Sequence, residues 1–218
     1  MCRWRVFRNV MNVQRFVNSF YSSNTYILSL NSDDYAWIID VGDAWNIIDW
    51  LNNSGKKIKG VLLTHTHFDH IYGLNDLLDY DPCLRVYTCE NGRDGLLSDK
   101  FNLSKYHEQS FVFKGKDNIF LLNNSIIELW PGVVGYIYKT PGHDWSCLTY
   151  DIGDFLFTGD SYIPGQDIVT VFPKSNKKDA IKSLAKIHEF LTRNYTICPG
   201  HGDMTMAIDI KSINVNNI

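Results

Sequence analysis

The heptapeptide THTHFDH, from Thr64 to His70, places three of the chain's seven histidines beside an aspartate. Imidazole and carboxylate groups are the ligands that zinc, iron and manganese take from proteins. In an extended segment, residues two apart point to the same side, so His65 and His67 can reach one ion together. We expect Asp69 and His70 to begin the next helix and to turn toward a second ion. This segment alone therefore indicates a metal site.

Three further segments share one arrangement, in which a predicted strand ends and a His or Asp follows in a turn that contains glycine. They are YKTPGHDW with His143, LFTGDS with Asp160 and TICPGHGD with His201. Glycine permits a positive φ at such turns and lets the backbone approach a bound ion. Taken singly, each turn is ordinary for a solvated loop. The ordered set of four segments favours a shared metal site.

The candidate ligands are five histidines and two aspartates: His65, His67, Asp69, His70, His143, Asp160 and His201. Seven ligands exceed the three or four that one catalytic zinc takes from a protein. They fit two divalent ions that hold a hydroxide between them and polarise a substrate carbonyl or phosphoryl group. Zinc is the first expectation, with iron or manganese as alternatives. His107 is expected to be a solvated loop residue, and His188 a partly buried packing residue.

The composition limits the partners that this chain is expected to have. Its 218 residues are 44% hydrophobic and carry a formal net charge of −3, which fits one α/β domain with a full-sized core. Nucleic acid is not expected as a partner, because its binding requires a basic face. No membrane partner is expected, because no apolar run approaches the roughly 18 residues that a membrane helix needs. The partner predicted is a small-molecule substrate, and the oligomeric state stays open.

The cysteines and the N-terminal segment bear on the compartment. Five cysteines, an odd number without a CxxC pair, indicate buried thiols in a reducing compartment, so we expect a cytoplasmic protein. Residues 1–10 are predicted to be an N-terminal extension. Four arginines and no acid precede Asp33, which leaves a transit peptide as the alternative that we disfavour.

The first half of the chain predicts alternating strands and helices. The histidine segment follows a predicted apolar strand over residues 58–63, and the ends of such strands are where α/β sheets place their ligands. Its helix is expected to start at Asp69 and to pack through Ile71, Leu74, Leu77 and Leu78. The other predicted elements are strands over 11–18, 25–30, 35–40 and 85–88, and helices over 44–52 and 90–98, with Gly55 as the stop of the first.

The second half predicts a run of short strands between residues 110 and 158, then a helix over 179–191 and a strand over 196–198. The six strand segments are SFVF, NIFLL, SIIELW, GYIYKT, CLTYDI and DFLFTG. Two halves that each contain strands and helices predict an α/β fold of two packed mixed sheets with outer helices. Since no linker is visible, we expect residues 11–218 to form a single domain.

The motifs THTHFDH, TPGH, TGDS and PGHG, in this order, resemble the metallo-β-lactamase superfamily over essentially residues 11–214. The resemblance implies an αββα sandwich with a dinuclear site at one edge of the two sheets. It also implies that His65, His67 and His143 hold the first ion, that Asp69, His70 and His201 hold the second, and that Asp160 bridges them. Asp69 would in addition be the catalytic residue that orients the attacking hydroxide or accepts a proton.

Asp160 in TGDS resembles the glyoxalase II-like hydrolases, whereas the commonest class of true β-lactamases has cysteine there. The tail from Pro199 resembles short glyoxalase II-like proteins, with Thr205 capping a last helix. The activity implied is attack by metal-bound hydroxide on a small thioester or ester. Full-length glyoxalase II continues into a helical domain that binds glutathione, and only 17 residues follow His201 here. Specificity for glutathione thioesters is therefore not carried over.

Other activities stay open within the same family resemblance. A mononuclear iron persulfide dioxygenase would use His65, His143 and Asp160 alone, and lactonase or phosphodiesterase activity is a further alternative. A metal-binding protein without turnover is disfavoured by the intact ligand set. Substrate-binding groups are expected from the loops over residues 98–110 and 161–174, in which Tyr162 and Lys174 are weak candidates.

Overall fold

The computed structural model describes residues 11–214, with side chains described as far as residue 210, so the predicted extension over residues 1–10 lies outside the described residues. The strands are β1 Met11–Val17, β2 Asn24–Leu30, β3 Tyr35–Ile39, β4 Lys57–Leu62, β5 Val86–Thr88, β6 Ile119–Leu121, β7 Ile126–Trp130, β8 Val133–Lys139, β9 Leu148–Ile152, β10 Phe155–Gly159, β11 Thr196–Pro199 and β12 Thr205–Met206. The helices are α1 Ala44–Ser54, α2 Leu74–Tyr80, α3 Glu90–Leu96, α4 Lys177–Phe190 and α5 Ala207–Asn214. None of them is long and apolar enough to cross a membrane.

The strands form two mixed sheets. The first has the order β1-β2-β3-β4-β5-β6, antiparallel from β1 to β3 and parallel from β3 to β6. The second has the order β12-β11-β10-β9-β8-β7, in which only β10 and β11 pair in parallel. With helices packed outside both sheets, this is the predicted αββα sandwich, and the prediction is confirmed.

Side-chain alternation along the strands builds three apolar layers. In β2, Tyr26 and Leu28 point between the sheets, whereas Ile27 points to the helices outside, so this strand is buried on both faces. Outside the first sheet, Ile27 packs with residues of α1 and α2 such as Ile47 and Leu74. Outside the second sheet, the apolar face of α4 and α5 covers Leu156 and Ile197. The core thus consists of three apolar clusters, one between the sheets and one outside each sheet.

Local signals account for the ends of the longest helices. α1 ends at Gly55, which has a left-handed φ of 68°, as the sequence predicted. α4 begins at residue 177, two residues before the predicted start. The side chain of Asn176 accepts hydrogen bonds from the backbone N–H groups of Lys178 and Asp179, and this capping fixes the earlier start.

The predicted helix start at Asp69 is wrong. Phe68–His70 forms a single 3-10 turn, and α2 begins only at Leu74. The backbone N–H of Val41, just after β3, donates to the carbonyl of His70 at 2.8 Å. The His70 carbonyl therefore bonds to the segment after β3 and not to the next turn of a helix. This bond holds the 3-10 turn at the edge of the first sheet.

Two other predicted elements are also wrong. The segment SFVF is not a strand, because its backbone bonds to side chains: Phe111 N donates to Ser104 Oγ at 2.8 Å, and Asn102 donates to the Phe111 carbonyl at 3.0 Å. Thr205 does not cap the last helix, because it pairs with Ile197 in β12. Both errors arise from contacts between residues seven to nine positions apart, which no helix or strand periodicity reveals.

Candidate metal centre

All seven candidate ligands lie beyond the C-terminal ends of strands at one edge of the sandwich. They follow β4 (His65, His67, Asp69 and His70), β8 (His143), β10 (Asp160) and β11 (His201). Backbone hydrogen bonds join these segments across the two sheets, from Leu148 N to the Thr64 carbonyl at 2.7 Å and from Asn24 N to the Gly200 carbonyl at 2.7 Å. The structure therefore brings together every site residue that the sequence predicted.

Six of the seven side chains form two clusters. In the first, donor atoms of His65, His67 and His143 lie within 4.8 Å of one another, and His143 Nε2 is 2.9 Å from His67 Nδ1. In the second, Asp69 Oδ2 lies 3.4 Å from His70 Nε2 and 3.2 Å from His201 Nε2. Each cluster has the size and composition of a divalent metal site.

Asp160 lies between the two clusters. Its Oδ2 is 3.4 Å from His143 Nε2 in the first cluster and 3.5 Å from His201 Nε2 in the second. Its Oδ1 is 3.5 Å from His70 Nε2. One carboxylate thus faces both groups of donors, as the bridging prediction requires.

The five imidazoles are held so that one nitrogen of each is available at the centre. Their other nitrogens face acceptors: His65 Nδ1 lies 3.2 Å from Thr64 Oγ1, His67 Nε2 3.6 Å from Asp144 Oδ2, His70 Nδ1 3.0 Å from Asp40 Oδ2, His143 Nδ1 2.9 Å from the Val169 carbonyl and His201 Nδ1 3.1 Å from the Tyr21 carbonyl. Because carbonyls and carboxylates only accept, the bonds of His70, His143 and His201 assign a ring proton to the outer nitrogen of each. The inner nitrogens then present lone pairs.

The donor set fits cations on two further observations. Among the described residues, His65 Nε2 and Asp160 Oδ1 are buried at the centre without a hydrogen-bond partner, which is rare for buried polar atoms. Inner nitrogens of His70 and His201 face each other at 3.3 Å. Two ligands of a tetrahedral zinc, each about 2.05 Å from it, are about 3.3 Å apart. The residues present therefore fit two divalent ions.

The charges around the centre also favour cations. Burial lowers the pKa of His65 well below its ordinary value, which keeps its imidazole neutral and able to coordinate. Burial alone would also lower the pKa of His70, but Asp69 and Asp160 outweigh it and raise that pKa to about 9. The same two carboxylates raise the pKa of His201 to about 10. The second cluster thus attracts positive charge strongly.

Comparison with known proteins decides the family. Residues 19–208 match the family model described as the metallo-beta-lactamase superfamily. The chain belongs to this superfamily. A protein of Streptococcus pyogenes serotype M6 named "Probable metallo-hydrolase" is 29% identical over 215 residues, which cover 94% of this chain and 90% of that protein.

Further relatives and solved structures are similar to this superfamily member. A hydroxyacylglutathione hydrolase of Blochmanniella pennsylvanica is 30% identical over 187 residues, covering 82% of this chain and 62% of that enzyme. The chain spans about half the length of most hydroxyacylglutathione hydrolases that it matches. Among solved structures, the BLEG-1 B3 metallo-beta-lactamase superposes with a TM-score of 0.83 at 23% identity, covering 94% of this chain and 98% of that one. TTHA1623 in a di-iron-bound form superposes with a TM-score of 0.76 at 19% identity, covering 94% of this chain and 100% of that one.

Two buried aspartates of this superfamily member face candidate histidine ligands, a role that was not predicted from the sequence. Asp40, just after β3, accepts from Thr64 N at 2.7 Å, from Thr64 Oγ1 at 2.6 Å and from His70. These bonds occupy both of its oxygens, so we assign it to holding His70 although it lies close enough to His65 and His70 to form a donor group. Its φ of 56° is unusual for a residue other than glycine and indicates a constrained position. Asp144 Oδ2 faces His67 at 3.6 Å, an ion-pair distance that is longer than a hydrogen bond.

The sequence signals for these two aspartates were weak but present. Asp40 ends a buried strand adjacent in the sheet to β4, and Asp144 directly follows a candidate ligand in TPGHDW. An aspartate at either position is also common in an ordinary turn. Only the tertiary contact with an imidazole identifies its role.

Histidines outside the candidate set differ from the predictions. His107 is half-buried, and its ring stacks on Phe68 with the ring centroids 5.1 Å apart. His188 is exposed on α4, so its predicted burial is wrong. Buried thiols are confirmed for Cys147 and Cys198, which lie among strand residues, whereas Cys83 is exposed.

A cavity of about 560 Å³ opens beside the candidate metal centre. Both loops expected to supply substrate-binding groups line it, the first through Leu103, Tyr106 and His107 and the second through residues such as Phe172. Tyr162 instead lies in the core next to α4, and Lys174 is not part of the lining. The cavity gives a small molecule access to Asp69 and Asp160.

We expect Gly200→Ala to damage the centre while leaving the fold intact. A Cβ at residue 200 would lie 1.9 Å from Asp160 Oδ1 and 2.9 Å from His70 Cε1, so the Asp160 carboxylate would have to move. Such a displacement should cost roughly 10–100-fold in metal affinity, as disturbed ligand positions commonly do. Calorimetric titration with zinc measures this loss.

Gly202→Ala is the matched control for this variant. Gly202 has a φ of 78°, but a Cβ there would meet nothing within 4 Å. It should cost roughly 1–2 kcal/mol of backbone strain and leave zinc affinity unchanged. Equal loss of zinc affinity in both variants would contradict the steric explanation.

Proposed function

We propose that this superfamily member is a dinuclear metal-dependent hydrolase of a small thioester or ester, with zinc as the first expectation for its two ions. The observation that carries the proposal is the position of Asp160, whose Oδ2 lies 3.4 Å from one donor cluster and 3.5 Å from the other. The di-iron form of TTHA1623 and the relatives named hydroxyacylglutathione hydrolase support it.

Each cluster would hold one ion. His65, His67 and His143 would hold the first, Asp69, His70 and His201 the second, and Asp160 both. When bound, two divalent ions supply a water acidic enough to attack at neutral pH and an electrophile that polarises the substrate carbonyl. The protein would hold its donors in position before substrate binds. Asp40 and Asp144 contribute by facing the outer nitrogens of His70 and His67.

Asp69 is the proposed catalytic side chain. It lines the cavity, and its side chain is 14% exposed, so its carboxylate is open to substrate while held at the centre. Burial raises the pKa of a carboxyl group, but His70 and His201 lower the pKa of Asp69 below its ordinary value. Asp69 is therefore ionised, and it can orient the attacking water or accept its proton.

The completeness of the second cluster favours the hydrolase over the mononuclear dioxygenase. A mononuclear iron site on His65, His143 and Asp160 would not need Asp69, His70 and His201. These three donors nevertheless converge, with His70 Nε2 and His201 Nε2 3.3 Å apart. Asp40 orients one of them through a bond of 3.0 Å.

A substrate panel on the zinc-reconstituted protein tests the proposal. We expect measurable hydrolysis of thioesters and esters, with penicillin and carbapenem turnover at least 100-fold slower in kcat/KM, a difference of about 2.7 kcal/mol in transition-state stabilisation. The panel also includes lactones and phosphodiesters. Faster turnover of a lactam, lactone or phosphodiester than of every thioester and ester would overturn the proposed substrate class.

A further inference from the structure

We infer that this site selects an ester or thioester of an apolar acyl group with an uncharged leaving group, and not a glutathione thioester. The inference rests on the proposed function and names its substrate class. It depends on the walls of the cavity beside the centre, which are formed by Phe68 of the THTHFDH segment and by the loops over residues 98–110 and 161–174.

The walls of the cavity are largely apolar. The lining includes the apolar or aromatic side chains of Phe68, Leu103, Tyr106, Ile163, Val169 and Phe172, beside polar Tyr21, His107 and Gln166 and the candidate ligands. The volume of about 560 Å³ is within the usual range for a small-molecule site. An acyl group of about six carbons can therefore lie between the walls while its carbonyl meets the centre.

Several side chains of the cavity wall are exposed to solvent. Tyr106 is 68% exposed, Val169 48% and Phe172 36%. Exposed apolar groups gathered around a cavity mark a surface that a ligand covers, because burying them is favourable. An apolar acyl group would provide this cover.

The apolar part of the cavity wall adjoins the candidate metal ligands. The ring centroid of Phe172 lies 5.1 Å from that of His67 and 5.7 Å from that of His143, edge-on to both. The carbonyl of Val169 fixes the same loop to His143 at 2.9 Å. A chain attached to a carbonyl at the centre would therefore contact Phe172 within its first few carbons.

The cavity offers no partner for the charged ends of glutathione. Among the described residues that line it there is no lysine or arginine, and its charged groups, Asp69, Asp160 and the His201 imidazole, all belong to the candidate metal centre. Lys174 lies nearby in sequence, but its Nζ sits 4.0 Å from the ring centroid of Trp145 and 4.4 Å from that of Phe101. Carboxylates are recognised through charge-assisted hydrogen bonds, for which the lining outside the candidate metal centre offers no lysine or arginine.

Turnover of two matched thioester series tests the inference. Acetyl, butanoyl and hexanoyl thioesters of N-acetylcysteamine are compared with the same acyl groups on glutathione. We expect kcat/KM to rise about tenfold from acetyl to hexanoyl, since each half-buried CH₂ contributes roughly a factor of two. Exchanging N-acetylcysteamine for glutathione should give no gain. A rise of tenfold or more on that exchange would overturn the inference.

A binding experiment keeps the inference separate from the proposed function. Calorimetry compares S-hexyl-N-acetylcysteamine with S-hexylglutathione, neither of which is an ester or thioester. Phe172→Ala and Tyr106→Ala should each weaken binding of the uncharged ligand about fivefold, roughly the loss of one to two buried CH₂ groups. Val171→Ala is the matched control, because Val171 is 84% exposed and outside the lining.

The turnover and binding experiments distinguish failure of the proposed function from failure of the inference. If no ester or thioester is hydrolysed, the proposed function fails while the binding comparison still decides the inference. Tighter binding of S-hexylglutathione than of the uncharged ligand overturns the inference, as does equal loss of affinity in Val171→Ala and Phe172→Ala. Tighter or equal binding of the uncharged ligand, with loss confined to the wall variants, supports it.

Discussion

Asp160→Asn is expected to leave at most one tightly bound metal ion per chain and to lower kcat by at least about 100-fold. Asp160 faces both donor clusters, and its carboxylate supplies negative charge between two proposed dications. The amide keeps the shape of the side chain but loses that charge, and its NH₂ group would oppose lone pairs of the imidazoles. The second ion should therefore be released.

Metal content and kcat of the variant, measured on the same preparation, check this expectation. Asp151→Asn is the matched control, because Asp151 is a buried aspartate of β9 that accepts from Tyr195 at 2.9 Å, outside the centre. The control should keep both ions and most of the rate. Retention of two ions and near-normal turnover in Asp160→Asn would show that the bridging assignment is wrong.

Asp69→Asn is expected to keep the first ion and to lower kcat by roughly 10²–10⁴-fold, the usual span for a lost general base. The first cluster consists of three histidines and does not include Asp69, so its affinity should change little. Asp69 nevertheless faces the cavity and contacts both histidines of the second cluster. Its loss should therefore affect the rate more than the first metal site.

The check compares kcat and metal content with those of His188→Ala. His188 is exposed on α4 and is a better control than His107, which lines the cavity. His188→Ala should keep both ions and the full rate. Loss of both ions in Asp69→Asn, or a kcat within threefold of the unaltered protein, would contradict the role given to this carboxylate.

The convergence of the seven candidate ligands could be predicted from the sequence because its determinants are local. Extended backbone places His65 and His67 on one side, and each remaining segment joins a strand end to a turn. The strands that precede these turns end at a common edge of the two sheets. The positions of the motifs along the chain therefore predicted which side chains meet there. The αββα layering followed from two runs of strands, each with helices.

The features that escaped prediction depend on contacts between distant segments. Asp40 acquires its role only by bonding to His70, thirty residues later. The late start of α2 results from the bond between Val41 N and the His70 carbonyl, which no local helical pattern reveals. His107 owes its position to packing on Phe68 and Phe20. The cavity walls come from irregular loops, where periodicity offers no guide.

The most direct test of the account is metal stoichiometry in the zinc-reconstituted protein. Mass-spectrometric metal analysis, with the protein quantified by amino-acid analysis, should give close to two ions per chain in a preparation that hydrolyses thioesters or esters. The proposed account predicts this value from the seven convergent donors and the central position of Asp160. A stoichiometry fixed at one ion, with iron restoring oxygen uptake on glutathione persulfide, would contradict the dinuclear hydrolase.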